Sequence, residues 1–402
     1  MKSLLQKILK FFARKILKKY QPEIIGITGS VGKTSAKEAI FSVLSAKFNV
    51  QSTEGNYNNE IGLPLTVISK KTAGKNIFGW IAIFFHALVL IWRKSKNYPE
   101  ILILEMAVDK PGDMDYLLDF IKLRIGVLTR IGPVHLESFK RQGAILEEKG
   151  KLIKKLPQNG FAILNYDYKD VLGLCDSTNA KCITYGMEDG SDVLAKNILV
   201  GKSQTSFSLE YKDKKMPVII LNSIGKVQIY AVLVGICAGL VKGMELLEIK
   251  EALINYRAPK GRGELLKGIK NTTIIDETYN ASPQSVEAAL ENLKNIAGKE
   301  RAIAVLGDML ELGSISRQAH LDIGAKVRES EIDYLFTVGV RAKDIAKGAE
   351  EAGMHKDKIY SFDNNSDLGK FLQEKMEEGD TVLVKGSNAM KMSEVVDEVK
   401  LI

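Results

Sequence analysis

The fold of this chain is decided by the stretch Glu23-Ile-Ile-Gly-Ile-Thr-Gly-Ser-Val-Gly-Lys-Thr-Ser35. The apolar residues Ile24 to Ile27 predict a short buried strand, the small residues after them predict a tight turn, and a helix is expected from about Lys33 to Phe48. In such a unit the N–H groups of the turn and of the helix N-terminus can bind phosphate oxygens. The stretch therefore predicts a nucleotide site, although Ile27 stands where the strict phosphate-loop pattern has its first glycine.

Strand-like and helical runs alternate along the rest of the chain. Residues 206–211 alternate between polar and apolar side chains and predict an antiparallel hairpin with its turn at 212–215, and residues 225–256 predict a pair of helices. This order predicts an α/β fold built on mostly parallel sheets. Apolar runs predict further strands at 101–104, 125–128, 161–164, 273–275, 302–306, 334–338 and 381–384.

Three parts are expected along the chain. Residues 1–22 predict a short basic amphipathic helix, residues 23–259 a central phosphate-loop domain, and residues 260–402 a C-terminal Rossmann-like α/β domain. The boundary between the two domains is the segment 258–263, which is rich in Gly and Pro. A hinge is expected near 257–263.

The net charge is concentrated at the N-terminus. The chain has 57 Lys and Arg against 49 Asp and Glu, a formal net charge of +8. Residues 1–22 hold seven of the bases and no acid, which leaves 50 bases against 49 acids in the remainder. A nearly neutral body argues against nucleic acid as a partner.

Two segments bear on contact with a membrane. In residues 3–19 apolar side chains recur at helical spacing among the bases, which predicts an amphipathic helix. Residues 77–92 form an apolar run of 16 residues, interrupted mainly by His86. The run is shorter than the roughly 20 residues that span a bilayer. It predicts a helix buried between domains; the alternative is an interfacial segment that acts with residues 1–22 in peripheral attachment to the inner face of the membrane.

The cysteines and the N-terminus indicate the compartment. Cys175, Cys182 and Cys237 form no Cys-x-x-Cys pair and predict neither a disulfide framework nor a structural zinc site. The N-terminus lacks the continuous apolar core of an export signal. Both features favour a reducing cytoplasm.

Two polar residues follow predicted strands. Glu105 comes directly after 101–104, and His135 follows 125–128 by a short loop. Open α/β sheets bind ligands at the carboxyl ends of their strands, and a carboxylate there suits Mg²⁺. His135 taken alone is better explained as a structural hydrogen-bonding residue.

Beyond residue 23 the sequence resembles the Mur ligase family, and within it the branch that adds D-alanyl-D-alanine. The resemblance rests on eight motifs that occur in the family's order. They lie at residues 27–35, 54–65, 104–106, 131–137, 148–150, 275–283, 305–313 and 384–387.

The resemblance implies a set of site residues. Lys33, Lys149 and His135 are expected to be catalytic, and Asn58, Asn59 and Asn280 to contact substrate. Asp308 belongs to a family signature without an assigned role. Without the resemblance, Lys149 would be interpreted as a solvated lysine of a charged helix. The residues expected to bind ATP are Thr28, Gly29, Ser30, Val31, Gly32, Lys33, Thr34, Ser35, Arg262, Asp276 and Glu277. Two Mg²⁺ sites are expected, with the ligands Thr34, Glu105, His135 and Lys149, the last as a carbamate.

The implied activity is ATP-dependent amide bond formation through an acyl phosphate, with D-alanyl-D-alanine or a similar amine added to a peptide-bearing cell-wall precursor. Typical members carry a further N-terminal domain that holds the UDP-linked precursor, and about 23 residues precede the loop here, so this domain is expected to be absent. Two alternatives remain open. One is a related ligase with another carboxylate acceptor, as in folylpolyglutamate or cyanophycin synthesis, and the other is a nucleotide-dependent, membrane-associated scaffold without ligase chemistry.

Overall fold

The computed structural model describes residues 2–55, 57–132 and 142–401, without the side chains of residues 2, 3 and 142. The chain divides into two compact units. The first consists of Met1–Asn197, Ser208–Val218 and Ile229–Tyr256, and the second of Ile198–Phe207, Ile219–Gln228 and Arg257–Ile402.

Strands and helices of the described residues are numbered in chain order. The strands are β1 Glu23–Thr28, β2 Val50–Ser52, β3 Ile101–Glu105, β4 Ile125–Leu128, β5 Phe161–Asn165, β6 Lys181–Gly186, β7 Val193–Val200, β8 Gln204–Tyr211, β9 Lys214–Leu221, β10 Glu264–Lys267, β11 Thr273–Glu277, β12 Ala302–Gly307, β13 Tyr334–Val338, β14 Ile359–Phe362 and β15 Thr381–Lys385. The helices are α1 Lys2–Tyr20, α2 Lys33–Leu44, α3 Gly62–Ile68, α4 Ile77–Trp92, α5 Asp113–Leu118, α6 Gln142–Lys154, α7 Lys169–Leu172, α8 Lys226–Val241, α9 Leu246–Leu253, α10 Pro283–Ala297, α11 Ser316–Glu329, α12 Ala342–Glu351, α13 Asn365–Lys375 and α14 Ser393–Val399.

The first sheet has the strand order β2-β3-β1-β4-β5-β6-β7-β8-β9. The neighbours from β2 to β7 run parallel. Ile27 of β1 lies opposite Glu105 of β3, and Thr28 lies opposite Leu128 of β4. The turn after β1 therefore begins beside Glu105, at the carboxyl edge of the sheet.

The second sheet has the order β10-β11-β15-β12-β13-β14 and is parallel except for the β10–β11 pair. Consecutive strand residues are buried on opposite faces: Ile275 and Ala304 belong to one apolar core, and Ile274 and Ile303 belong to another. A parallel sheet covered on both faces requires such continuous apolar runs. The predicted α/β class with mostly parallel sheets is confirmed.

The predicted strands are all present, within two residues at either end. The helix after the loop ends at Leu44, four residues before the predicted Phe48. Pattern reasoning missed β2, β6, β7, β10 and β14. Several of these are short or carry polar residues, as in Val-Gln-Ser of β2, so they lack the apolar run on which the prediction depends.

The cysteines differ in part from the expectation. Cys175 and Cys182 form a disulfide, with their Cα atoms 5.9 Å apart, and Cys237 is buried and free. The pair meets because the segment after α7 returns within seven residues to the start of β6.

Residues 77–92 form the predicted helix, α4, but the interpretation as a buried helix is wrong. Only Ile83, Ala87 and Leu90 of α4 are buried. Helices α1 and α3 pack against α4, and the opposite side of α4 is exposed. No helix of the described part of the chain combines the length and apolar character needed to cross a membrane.

Candidate active site

The loop between β1 and α2 depends on two glycines. Gly29 has φ 148° and Gly32 has φ 86°, conformations that favour glycine. A Cβ atom on Gly29 would also lie 2.0 Å from the Oγ1 atom of Thr129. The loop therefore needs glycine at these two positions, whereas Ile27 still belongs to the strand.

Hydrogen bonds hold this loop on both sides. Thr28 Oγ1 donates to Met106 O at 2.8 Å. Ser30 N donates to Arg130 O at 2.6 Å, and Val31 forms a bridge with Arg130. The loop is thus fastened to the segments that follow β3 and β4.

Lys33 lies at the start of α2 and folds back over the loop. Its Nζ donates to Gly29 O at 2.8 Å and to Ser30 O at 3.4 Å. Gly32 occupies the N-cap without a capping side chain, and Ser35 is buried in the first turn. The helix N-terminus, glycine loop and lysine together have the character of an anion site.

Glu105 joins three elements at the edge of the sheet. Its Oε2 accepts from Thr34 Oγ1 at 2.9 Å, and its Oε1 accepts from Asn58 Nδ2 at 3.2 Å. Its backbone N–H donates to Thr53 Oγ1 at 3.1 Å. The side chain is almost fully buried, so its charge is directed at the neighbours of the loop rather than at bulk solvent.

Lys149 on α6 reaches the same loop. Its Nζ donates to Gly29 O at 2.8 Å and contacts Ser30 Oγ at 3.4 Å, so Lys33 and Lys149 share one carbonyl acceptor. The residue is 2% exposed, and the interpretation as a solvated helix lysine is wrong. Burial, with the charge of Lys33 and against that of Asp109, lowers the pKa of Lys149 to about 7.

Glu148 is a residue whose role the sequence did not reveal. Its Oε1 accepts from Gly112 N at 3.0 Å and Met114 N at 2.9 Å, at the start of α5, and its Oε2 pairs with Lys151 at 2.5 Å. These bonds fasten α6, and with it Lys149, to α5. The only sequence signal was its place beside Lys149 in the motif at 148–150.

Asn59 differs from its neighbour Asn58. Its Oδ1 accepts from Ile61 N at 3.1 Å and Gly62 N at 3.0 Å, where α3 begins. The side-chain oxygen of Asn59 therefore supports the helix start. His135 lies outside the described residues.

In the second unit, the two acidic residues at the end of β11 make different contacts. Asp276 is buried; its Oδ2 accepts from Gly261 N at 3.1 Å, and its Oδ1 accepts from Thr278 N at 3.1 Å and Thr278 Oγ1 at 2.6 Å. Glu277 is partly exposed and pairs with the buried Lys385 at 2.9 Å. Asp276 shapes its own loop, and Glu277 keeps contact with solvent.

Arg262 and Asn280 make local contacts in the same unit. The guanidinium carbon of Arg262 lies 3.5 Å from the ring centroid of Tyr279. Asn280 Oδ1 accepts from Ala281 N at 2.9 Å. Stacking orients the Arg262 side chain while leaving it cationic.

Asp308 directly follows β12, and its buried carboxylate reaches the start of α12. Its Oδ1 accepts from Arg341 N at 3.0 Å and Ala342 N at 2.7 Å. Gly339 has φ 111°, and a Cβ there would lie 2.4 Å from the same oxygen. Asp308 therefore holds the β13–α12 turn.

Two family descriptions match the sequence. "Mur ligase middle domain" matches residues 27–78 and 87–239, and "Mur ligase, glutamate ligase domain" matches residues 261–388. The UDP-N-acetylmuramoyl-tripeptide--D-alanyl-D-alanine ligase of Bacillus subtilis is 30% identical over 391 residues, which cover 97% of this chain and 79% of that protein. The chain belongs to the Mur ligase family. The Mur middle-domain match passes over residues 79–86, which lie within α4.

Solved Mur ligases share the fold. A crystal structure of MurF from Acinetobacter baumannii superposes with a TM-score of 0.81 at 24% identity and covers 97% of this chain and 79% of that one. MurF from Thermotoga maritima, solved in complex with ADP, gives 0.79 at 26% identity, with 98% and 83% covered. As a Mur ligase, the chain is an ATP-dependent ligase.

The structure brings part of the expected Mur site together. In the first unit, loop residues 28–35 meet residues from β3, from the segment after β2 and from α6; the predicted members of this cluster are Lys33, Thr34, Asn58, Glu105 and Lys149. In the second unit, the predicted residues engage their own neighbours; they are Arg262, Asp276, Glu277 and Asn280.

Proposed function

We propose that this Mur ligase joins D-alanyl-D-alanine, or a similar amine, to the peptide of a muramoyl cell-wall precursor. Relatives with this name, from Bacillus subtilis at 30% identity and from Escherichia coli at 28% identity, support the choice of substrates. They favour it over a folylpolyglutamate- or cyanophycin-type acceptor and over a scaffold without chemistry. The observation that carries the chemistry is the convergence of Lys33 and Lys149 on Gly29 O beside the Thr34–Glu105 pair.

The reaction would proceed in two displacements. A carboxylate oxygen of the acceptor attacks the γ-phosphorus of ATP, the bond to the bridging oxygen breaks, and ADP leaves an acyl phosphate. The amine nitrogen then attacks the acyl carbon, expels inorganic phosphate and gives up a proton. Loop N–H groups and the Lys33 ammonium would hold the phosphates and stabilise negative charge in the first displacement.

Two Mg²⁺ ions belong to the proposal, and the residues present suit them. Thr34 and Glu105 place two hard oxygen atoms 2.9 Å apart. The described residues contain no group of three His, Cys, Asp or Glu side chains placed for a metal, so further ligands are needed, and His135 and a carbamate on Lys149 would supply them. Because its pKa is lowered to about 7, Lys149 has a substantial fraction of neutral amine near neutral pH, and this is the form that adds CO₂. Bound Mg²⁺ would neutralise phosphate charge.

The remaining predicted residues are assigned by the same proposal. Arg262 would contact the ATP phosphates, and Glu277, the more exposed of the acidic pair, would contact the ribose. Asn58 and Asn280 would contact substrate, and Asn59 would position this segment. We place the activity in the cytoplasm, at the inner face of the membrane.

Phosphate release from ATP tests the proposal. Release should require both a UDP-muramoyl-tripeptide and D-alanyl-D-alanine, and it should fall at least about 100-fold in Lys149→Ala. Lys154→Ala is the matched control, because Lys154 is an exposed lysine of the same helix; it should retain full turnover. Release that is indifferent to D-alanyl-D-alanine would refute the substrate, and unchanged turnover in Lys149→Ala would refute the mechanism.

A further inference from the structure

The exposed side of α4 is an apolar surface along a whole helix. Its 16 residues include no charged side chain, and at 1.5 Å per residue the helix is about 24 Å long. A contiguous apolar face of this kind on a protein surface marks a site of interaction. Its large exposed side chains are Ile77, Phe78, Ile81, Phe85, Leu88, Val89 and Trp92, with Phe78 83% and Trp92 88% exposed; we call this set the α4 face.

Helix α1 supports α4 and buries most of its own apolar side. Its apolar residues Leu9, Ala13 and Ile16 are fully buried in the core of the first unit. At its end, Lys19 Nζ donates to Leu90 O at 3.0 Å and to Ile91 O at 2.7 Å, near the end of α4. The α4 face is therefore held in place by a helix that is anchored in the core of the first unit.

The charge around the α4 face is predominantly positive. Residues 61–99 contain six bases and no acid, and residues 1–22 contain seven bases and no acid. Of these bases, Lys10 and Arg14 pair with Asp119, and Lys71 pairs with Glu54. The exposed bases flanking α4 are Lys70, Lys71, Lys75, Arg93, Lys94 and Lys96, and those on the surface of α1 include Lys7, Lys15 and Lys18.

These observations identify the kind of partner. A second copy of the chain would bring the same positive rim against itself, which opposes self-association. The helix is too short to span a bilayer, yet an apolar face between bases suits a helix that lies in the interface of an anionic membrane. Phe78, Phe85 and Trp92 recur every seven residues and so follow one line along the helix; aromatic side chains favour the headgroup region.

We propose that the α4 face inserts into the surface of an anionic lipid bilayer, with the flanking lysines and arginines against the lipid headgroups. The family match that passes over residues 79–86 is consistent with a surface added to the common Mur middle domain. The proposal is independent of the amine or acceptor that the ligase uses. It concerns only where the enzyme works.

Vesicle flotation of the full-length protein tests this. The wild type should float with vesicles that contain about 30% phosphatidylglycerol and much less with pure phosphatidylcholine. The triple variant Phe78→Ser, Phe85→Ser, Trp92→Ser should float at least about tenfold less. The matched control is Leu247→Ser, Ile315→Ser, Val340→Ser, which removes three exposed apolar side chains elsewhere and should float like the wild type.

A spectroscopic measurement distinguishes lipid insertion from other causes of flotation. The chain has two tryptophans, so Trp80→Phe leaves Trp92 as the single reporter. Its emission should shift to the blue and be quenched by brominated lipid when anionic vesicles are added. A wild type that remains unbound, a triple variant that floats equally well, or a lipid-free dimer that the triple variant abolishes would each overturn the proposal. Phosphate release with soluble substrates should be the same in the triple variant and the wild type, which separates this test from that of the ligase reaction.

Discussion

Two buried aspartates of the second unit and two lysines beside the glycine loop of the first unit show opposite ways of placing charge. In the second unit, Asp276 and Asp308 each accept hydrogen bonds from backbone N–H groups of nearby turns. In the first, the Nζ atoms of Lys33 and Lys149 both donate to one oxygen, that of Gly29. A carboxylate surrounded by donors stabilises its loop, whereas the charge of Lys33 disfavours a second positive charge on Lys149, and a bound anion would favour both charges. The difference separates charges that serve the fold from charges that serve a ligand.

The largest effect is expected for Lys149→Met, which should lower turnover about 1,000-fold and yet stabilise the protein. Unfolding returns Lys149 to a pKa near 10.5, while the folded protein holds it at about 7. Folding therefore opposes protonation of Lys149. The folded protein loses about 1.4 kcal/mol of stability for each unit by which its pKa lies below that of the unfolded chain. The cost is complete at pH 7 and below, shrinks as the pH rises, and is absent above 10.5.

Urea unfolding in CO₂-free buffer from pH 6 to 10 measures this. The variant should be more stable than the wild type by a few kcal/mol at pH 7, and the gain should shrink towards pH 10. Lys154→Met, on the exposed side of α6, should show no such pH dependence. A Lys149→Met protein that is less stable than the wild type at pH 7 would show that burying Lys149 stabilises the fold, as the buried aspartates do, and would contradict the contrast drawn above.

Glu105→Gln should separate catalysis from stability in the first unit. Glutamine can still accept a hydrogen bond from Asn58 and can donate one to Thr34, so the free energy of unfolding should change by less than about 1 kcal/mol. The lost anionic charge should reduce turnover about 100-fold and raise the Mg²⁺ concentration required. Phosphate release across a Mg²⁺ titration checks this; an unaltered titration would remove Glu105 from the metal site.

Asp276→Asn should have the reverse profile in the second unit. The amide NH₂ cannot accept the bonds that one carboxylate oxygen accepts from Gly261 or Thr278, which should cost about 2 kcal/mol of unfolding free energy. Turnover per folded molecule and the KM for ATP should stay near the wild-type values. A raised KM for ATP at full stability would instead place Asp276 at the nucleotide.

The smallest effect is expected at Asn59. Asn59→Ala should lower the free energy of unfolding by about 1 kcal/mol, because the N–H groups at the start of α3 lose their acceptor. Asn59→Asp retains the acceptor and should restore stability. If Asn59→Asp folds normally but loses turnover, the side-chain amide contacts substrate, and Asn59 belongs with Asn58 rather than with the supporting residues.

Local pattern was sufficient for much of the fold. The apolar runs at 101–104 and 125–128 became β3 and β4 because continuous apolar strands are what a sheet covered on both faces requires. Gly29 and Gly32 were already visible as the turn, since few other residues adopt positive φ. The eight ordered motifs were enough to identify the Mur ligase family.

The sequence by itself determined the phosphate loop, the alternation of elements and the types of residue available for chemistry. Tertiary structure alone decided that Thr34 and Asn58 meet Glu105 across 71 and 47 residues, that Lys149 is buried while Asn59 supports a helix, and that α4 keeps one face in solvent. Periodicity records which side chains share a face. Whether that face is covered, and whether a charge loses its water, depends on partners distant in the chain, and those partners set the pKa of Lys149 and the exposure of Trp92.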